Sequence, residues 1–137
     1  MILAGLGLMG ACGGDDGGGN GEDFQPHHVF DRQVAFFQQL CLCDPNATRT
    51  GDVVLPSDPC VSGNVDTGAV RDCKEQALEA RWDELASAGA CNYRAYDAGI
   101  TCLENLETCE DVGACFVEYS ADLDACPSSF FQATSDC

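Results

Sequence analysis

Residues 91–126 read CNYRAYDAGITCLENLETCEDVGACFVEYSADLDAC, and four cysteines in this stretch decide the fold. Cys91 and Cys102 are eleven residues apart, and so are Cys115 and Cys126. Eleven residues make about three turns at 3.6 residues per turn, so each pair lies on one face of a helix. The first helix is expected over about 92–107, with Tyr93, Tyr96, Ile100, Leu103 and Leu106 on one side. Thr108, with Asp111 three places on, resembles a capping box and opens the second helix. That helix runs to about Ala125, with Val112, Phe116, Tyr119 and Leu123 inward. A connection this short forces an antiparallel hairpin. Folding near Thr108-Cys109 sets Cys102 opposite Cys115 and Cys91 opposite Cys126, predicting two disulfide rungs.

The same reasoning extends toward the N-terminus. Pro26 suits the first turn of a helix, and Phe30, Val34, Phe37 and Cys41 follow at helical spacing. Phe36 and Leu40 widen that apolar face, giving a helix over 26–42 that Asp44-Pro45-Asn46 ends. Gly51, Pro56, Pro59 and Gly63 punctuate a loop over 48–65, with Val53-Val54-Leu55 as a short extended piece. Asp66 or Thr67 caps a helix running to about Ala88, with Val70, Ala77, Leu78, Trp82 and Leu85 as its apolar positions. Gly89 is expected to end it. Beyond the hairpin, Pro127-Ser128-Ser129 breaks the chain before a short turn around Phe130-Phe131. The expected architecture is all-α: a small disulfide-stapled bundle of about four helices with a C-terminal antiparallel helical hairpin. Its body is assigned to 26–137.

The rung layout is similar to that of twin-cysteine hairpins of the coiled-coil-helix type, in geometry only; a shared layout transfers no function. Six further cysteines, Cys41, Cys43, Cys60, Cys73, Cys109 and Cys137, allow fifteen pairings. The preferred set is Cys41–Cys73 tying the first two helices, Cys43–Cys60 closing the loop, and Cys109–Cys137 securing the C-terminus.

Composition narrows the function. Six Lys and Arg face 23 Asp and Glu, for a net charge of −17. Nucleic-acid binding needs a basic footprint, which this chain lacks, and anionic lipid surfaces repel it. The acidic surface serves solubility, or attracts cations or a basic partner. Eleven cysteines in 137 residues mark a disulfide scaffold made in an oxidising compartment.

The N-terminus supplies an address. Residues 1–11, MILAGLGLMGA, form an uncharged apolar run, too short to span a bilayer, which takes roughly 20 residues. It suits the core of an export signal. No Lys or Arg precedes the run, so the signal is atypical or the start lies upstream of Met1. Met9-Gly10-Ala11-Cys12 resembles a bacterial lipobox, with Met9 where Leu is usual. The resemblance implies cleavage before Cys12 and acylation of Cys12 as the first mature residue. Residues 12–25 then comprise the lipidated cysteine and a Gly/Asp stretch of flexible-tether composition. Setting Cys12 aside leaves ten cysteines, an even number for bridging.

Chemistry-bearing motifs are sparse. Cys41-Leu42-Cys43 lacks a basic neighbour to lower a thiol pKa, and Asp44 raises it, so bridging is expected over redox catalysis. Paired C-x-x-C knuckles for zinc are missing. His27 and His28, the only histidines, would point about 100° apart on a helix and cannot readily share one ion. Neither G-x-S-x-G nor H-E-x-x-H occurs. Abundant acids leave a glycosidase-type carboxylate pair formally open, without spacing to support it. The Asp15-Asp16 to Asp23 stretch fails the EF-hand pattern, because Gly18 holds a ligand position. Asn46-Ala47-Thr48 matches a glycosylation acceptor, relevant only to a eukaryotic secretory route. Trp82, Tyr93, Tyr96 and Phe116 read as core, or as the lining of a ligand groove.

These readings lead to a non-enzymatic cell-envelope lipoprotein acting as a binding or structural module, without cofactor or metal. Its membrane contact would be the lipid on Cys12, and a basic protein its possible partner. The alternative is a secreted helical domain that holds a small apolar ligand, in a dry cavity bounded by Trp82 and Tyr96.

Overall fold

A computed structural model describes residues 24–137, so the expected signal, the lipobox and Cys12 lie outside the described residues. The described chain is all-α apart from one short hairpin. Its elements are α1 (Pro26–Leu40), a 3-10 turn (Cys41–Cys43), β1 (Arg49–Thr50), β2 (Val53–Val54) and α2 (Pro59–Ser62). Then follow α3 (Gly68–Glu79), α4 (Trp82–Glu104), a second 3-10 turn (Cys109–Asp111), α5 (Val112–Asp124) and α6 (Ser129–Ala133).

Side-chain pairings set the helix directions. Trp82 of α4 reaches back to Phe24, Tyr93 receives a hydrogen bond from Arg32, and Gly99 lies against Phe36. Numbers rise together on both helices, so α1 and α4 run parallel. Arg71 of α3 meets Asp31 and His27, whereas Asp66 just before α3 meets Gln33, so α3 runs antiparallel to α1. The hairpin partner α5 returns along α4. Helices α1, α3, α4 and α5 alternate in direction; the short links from α3 to α4 and from α4 to α5 require it there, whereas residues 41–67 separate α1 from α3.

Both predicted rungs are present: Cys102–Cys115 and Cys91–Cys126 bridge α4 to α5, each with Cα atoms 5.7 Å apart. The other three predicted pairings are not formed. The structure holds Cys41–Cys60, Cys43–Cys109 and Cys73–Cys137 instead. Cys41 and Cys43 sit in a 3-10 turn, where residues two apart point about 240° apart, so they reach different neighbours. Cys41 is buried and faces α2, where it meets Cys60. Cys43 meets Cys109 because parallel α1 and α4 place their C-terminal ends together, and Cys109 follows α4. The tail does not return to the hairpin turn. Helix α6 packs against α3 and α4, which delivers Cys137 to Cys73.

Helix boundaries differ from expectation at three places: α2 stands in the segment expected to be loop, Thr108 caps the second 3-10 turn while α5 starts at Val112, and the break before α4 is moved. The chain breaks at Arg81 (φ −133°, ψ 29°), and a single helix then runs from Trp82 through Gly89 to Glu104. Neither Gly nor Pro marks the break. It is set by packing, which turns both Leu78 and Leu85 inward and brings the Trp82 Nε1–H to the Phe24 carbonyl at 2.8 Å. Gly89 is not a terminus. It lies under the Trp82 indole, where a Cβ would fall 2.5 Å from Cη2.

The core is aromatic at its centre. Phe36, fully buried, stacks on Tyr119 with ring centroids 4.3 Å apart, and Tyr96 lies 5.4 Å from Tyr119. Gly99 provides the space for Phe36, since a Cβ there would come within 2.5 Å of its ring. The expected extended piece is half of a hairpin, in which Thr50 pairs with Val53 across Gly51 at φ 66°. A two-residue hairpin turn needs that left-handed backbone, which glycine adopts without a steric penalty. Val54 is buried, and its carbonyl accepts from Gln38 Nε2 at 2.7 Å.

Candidate functional site

Five features bear on function, and the cysteines come first. All ten from Cys41 to Cys137 are bridged, so none of these is a thiol nucleophile or a thiolate ligand. The two members of the C-x-C pair bond to different partners. Among the described residues there is no group of three or more His, Cys, Asp or Glu side chains placed to hold a metal ion. His27 and His28 have ring centroids 4.1 Å apart, and the His28 Nδ1 accepts the Gln25 N–H at 2.9 Å. That hydrogen bond helps close the first turn of α1.

The second feature is an aromatic clasp where the described chain begins. Phe24 lies in the stretch read as tether, yet it packs against Trp82 (5.5 Å), Tyr93 (5.6 Å) and His28 (5.9 Å). Its carbonyl takes the indole N–H. Arg32 lies over the Tyr93 ring at 5.0 Å and donates to its hydroxyl at 2.8 Å. Sequence reasoning assigned Trp82 and Tyr93 to the core but missed Phe24, because a single aromatic ahead of Pro26 has no periodicity.

The third feature is the space beside Tyr96. A cavity of about 20 Å³ lies there, bordered by Val29, Phe30, Gln33, Tyr96, Phe130 and Thr134. That volume holds about one water molecule and no apolar ligand. Trp82 is not on its wall. Gln33 Nε2 donates to the Tyr96 hydroxyl at 3.1 Å. Burial, reinforced by Tyr119, holds the Tyr96 hydroxyl far above its ordinary pKa, and burial also raises Tyr119. These are the groups of a closed core.

The fourth feature is an open groove of about 380 Å³ between α1 and the start of α3, bordered by Asp31, Val34, Val65, Asp66, Gly68 and Arg71. Its one cation is already engaged. Arg71 Nη2 donates to Asp31 at 2.7 Å, and Nε donates to Glu75 at 2.6 Å. The guanidinium also lies over Phe30 at 5.6 Å. Burial alone would lower the Arg71 pKa, but Asp31 and Glu75 outweigh it and hold the group above its ordinary value. Lys74 pairs with Asp66 at 2.9 Å. The groove is a clamp between helices. Nearby, the Asp58 carboxylate accepts the Thr48 N–H at 2.7 Å and the Cys60 N–H at 2.9 Å, and these bonds lower its pKa. It pins the hairpin to α2 beside the Cys41–Cys60 bridge.

The fifth feature is the surface of α5. Phe116, expected inward, is 42% exposed. The rungs set the helix phase through Cys115, Tyr119 and Cys126, all buried, and Phe116 falls to the flank of that arc. Charge is also segregated. All six Lys and Arg precede residue 95, whereas residues 95–137 carry nine Asp and Glu. Of those nine, only Asp97 joins an ion pair among the described residues, with Arg32 at 3.4 Å.

The fold therefore defines the class: a disulfide-stapled, all-α domain. Five bridges place it in an oxidising compartment outside the cytoplasm, and no described helix is long and apolar enough to cross a membrane. No protein-family model, no curated protein and no solved structure matches the chain.

Proposed function

We propose that the chain is an exported lipoprotein of the bacterial cell envelope, acylated at Cys12, whose helical body is a non-enzymatic binding or structural module. One observation carries the reading. The ten cysteines from Cys41 to Cys137 pair among themselves, which leaves none of them as a partner for Cys12. A cysteine that follows an apolar run ending in Met9-Gly10-Ala11 then has acylation as its fate. Two or more acyl chains give stable anchoring, where one alone is marginal.

The test is the intact mass of the protein recovered from the membranes of an expressing bacterium. The reading requires a chain beginning at Cys12, with the mass of a diacylglycerol added and five intact disulfides. Cys12→Ser should release the body from the detergent phase into the aqueous phase. Recovery of an uncleaved chain, or of unmodified Cys12 in soluble protein, removes the anchor from the proposal. The apolar-ligand alternative gains no support, since the space beside Tyr96 admits one water molecule.

A further inference from the structure

Helix α5 buries one face and leaves the other without a partner. Cys115 and Tyr119 point inward. At 100° per residue, Gly113, Ala114, Val117 and Ala121 share the opposite arc, and all four are exposed. Val117 is 67% exposed, and Phe116 borders the arc on one side. Glu118 and Asp122 border it on the other, Glu110 and Asp111 lead in, and Asp124 sits on the arc itself at its C-terminal end. None of these carboxylates is in an ion pair of the described chain.

This arrangement is locally unfavourable in two ways. Glu118 and Asp122 are like charges at i,i+4, which repel on a helix surface. Asp122 and Asp124 also sit at the C-terminal end, where the helix dipole favours cations. No Lys or Arg of the described chain forms an ion pair with Glu118, Asp122 or Asp124. Both are relieved by a surface that covers the apolar arc and brings positive charge to its acidic edge.

We propose that the outer face of α5 docks a helical segment of a partner protein, one with a small apolar ridge edged by Lys or Arg. The proposal deepens the binding-module reading above by naming the surface and the chemistry of the partner. Gly113, Ala114 and Ala121 let another helix approach closely, and Val117 is the knob that it covers. A second copy of this chain is disfavoured. A two-fold contact is self-complementary, so it would bring the acidic edges of both copies into one interface.

The experiment titrates the purified, oxidised full chain with three labelled synthetic peptides, read by fluorescence anisotropy. One is an amphipathic helix with an Ala/Leu ridge edged by Lys. The second has the same ridge edged by Glu. The third has the composition of the first in scrambled order. The Lys-edged helix should bind, more weakly as salt rises, and the other two should bind far less. Val117→Ser, at the centre of the face, should weaken binding by about tenfold, and Glu118→Lys, at its edge, should weaken it and flatten its salt dependence. Both positions are exposed, so circular dichroism and the disulfide map should stay unchanged. Equal binding of the scrambled peptide would reduce the effect to polyanion attraction and overturn the proposal. So would insensitivity to Val117→Ser, dimerisation that Val117→Ser abolishes, or binding to phosphatidylcholine vesicles that it abolishes. None of these readouts depends on acylation at Cys12, so failure here is distinct from failure of the anchor.

Discussion

Adding one methyl group at each of three helical glycines should give three different outcomes. An Ala in place of Gly inside a helix stabilises by about 1 kcal/mol through backbone propensity alone. At Gly113 the new Cβ meets nothing within 4 Å, so most of that gain should appear. At Gly99 the Cβ would lie 2.5 Å from Phe36 Cε1 and 2.8 Å from Cδ1. Phe36 is fully buried and stacked on Tyr119, so its ring has nowhere to move. Overpacking of that kind costs about 1–3 kcal/mol, and the clash lies at the upper end of the range. Gly99→Ala should therefore lose about 1–2 kcal/mol net, leaving it roughly 2–3 below Gly113→Ala. At Gly89 the nominal clash is again 2.5 Å, but it falls on the far edge of the half-buried Trp82 indole. Tilting that ring strains only the clasp with Phe24, so stability should change little while the emission of the single tryptophan shifts. Urea unfolding of the oxidised variants measures the free energies. The Gly99 and Gly113 variants should melt about 10 °C apart at roughly 4 °C per kcal/mol. Equal stability of the two would mean that α1 and α4 are not in contact at Phe36, and the parallel packing argument would fail.

Other outcomes follow from the same geometry. Asn92 is fully buried, donates to the Ala88 carbonyl at 2.9 Å and leaves its Oδ1 without a hydrogen-bond partner. Asn92→Ala should stay within about 1 kcal/mol of the native protein, whereas an aliphatic side chain truncated at that depth costs about 2–5 kcal/mol. Asp58 has a folded pKa below its ordinary 3.8, so the unfolded chain binds the proton first as pH falls. Its contribution to stability is complete well above 3.8 and disappears as pH drops through the folded value; Asp58→Asn should flatten the acid limb of urea midpoints against pH. Tyr96 and Tyr119 are shifted upward from 10.0, so above that pH the unfolded chain releases protons that the folded chain keeps. Stability should fall in that range, less steeply in Tyr96→Phe. Replacing the Cys43–Cys109 pair, 66 residues apart, by serines should cost at most about 4 kcal/mol, against about 3 for Cys102–Cys115, 13 apart. The first figure is a ceiling because the remaining bridges already shorten the closed path. Peptide mapping without reduction should recover Cys41–Cys60, Cys43–Cys109 and Cys73–Cys137.

The sequence by itself determined what local spacing and connection length control. Eleven-residue intervals and a short turn left the α4–α5 hairpin one way to close, and both rungs follow from it. Pro26, the apolar spacing after it and Asp44-Pro45 delimited α1 to within two residues. The last cation, Arg94, was likewise in plain view in the chain. Only the tertiary structure decided the partners of Cys41, Cys43 and Cys73, because cysteines two apart in a 3-10 turn point in different directions, and which cysteine each meets depends on which helices lie alongside. It also decided the break at Arg81, where no residue objects to continuing a helix and the gain comes from seating Trp82 against Phe24. The exposure of Phe116 belongs with these, since disulfides fix the rotation of α5 more firmly than one aromatic ring can. Periodicity specifies that a helix has a face; which residues occupy that face is settled by the covalent and packing constraints at its ends.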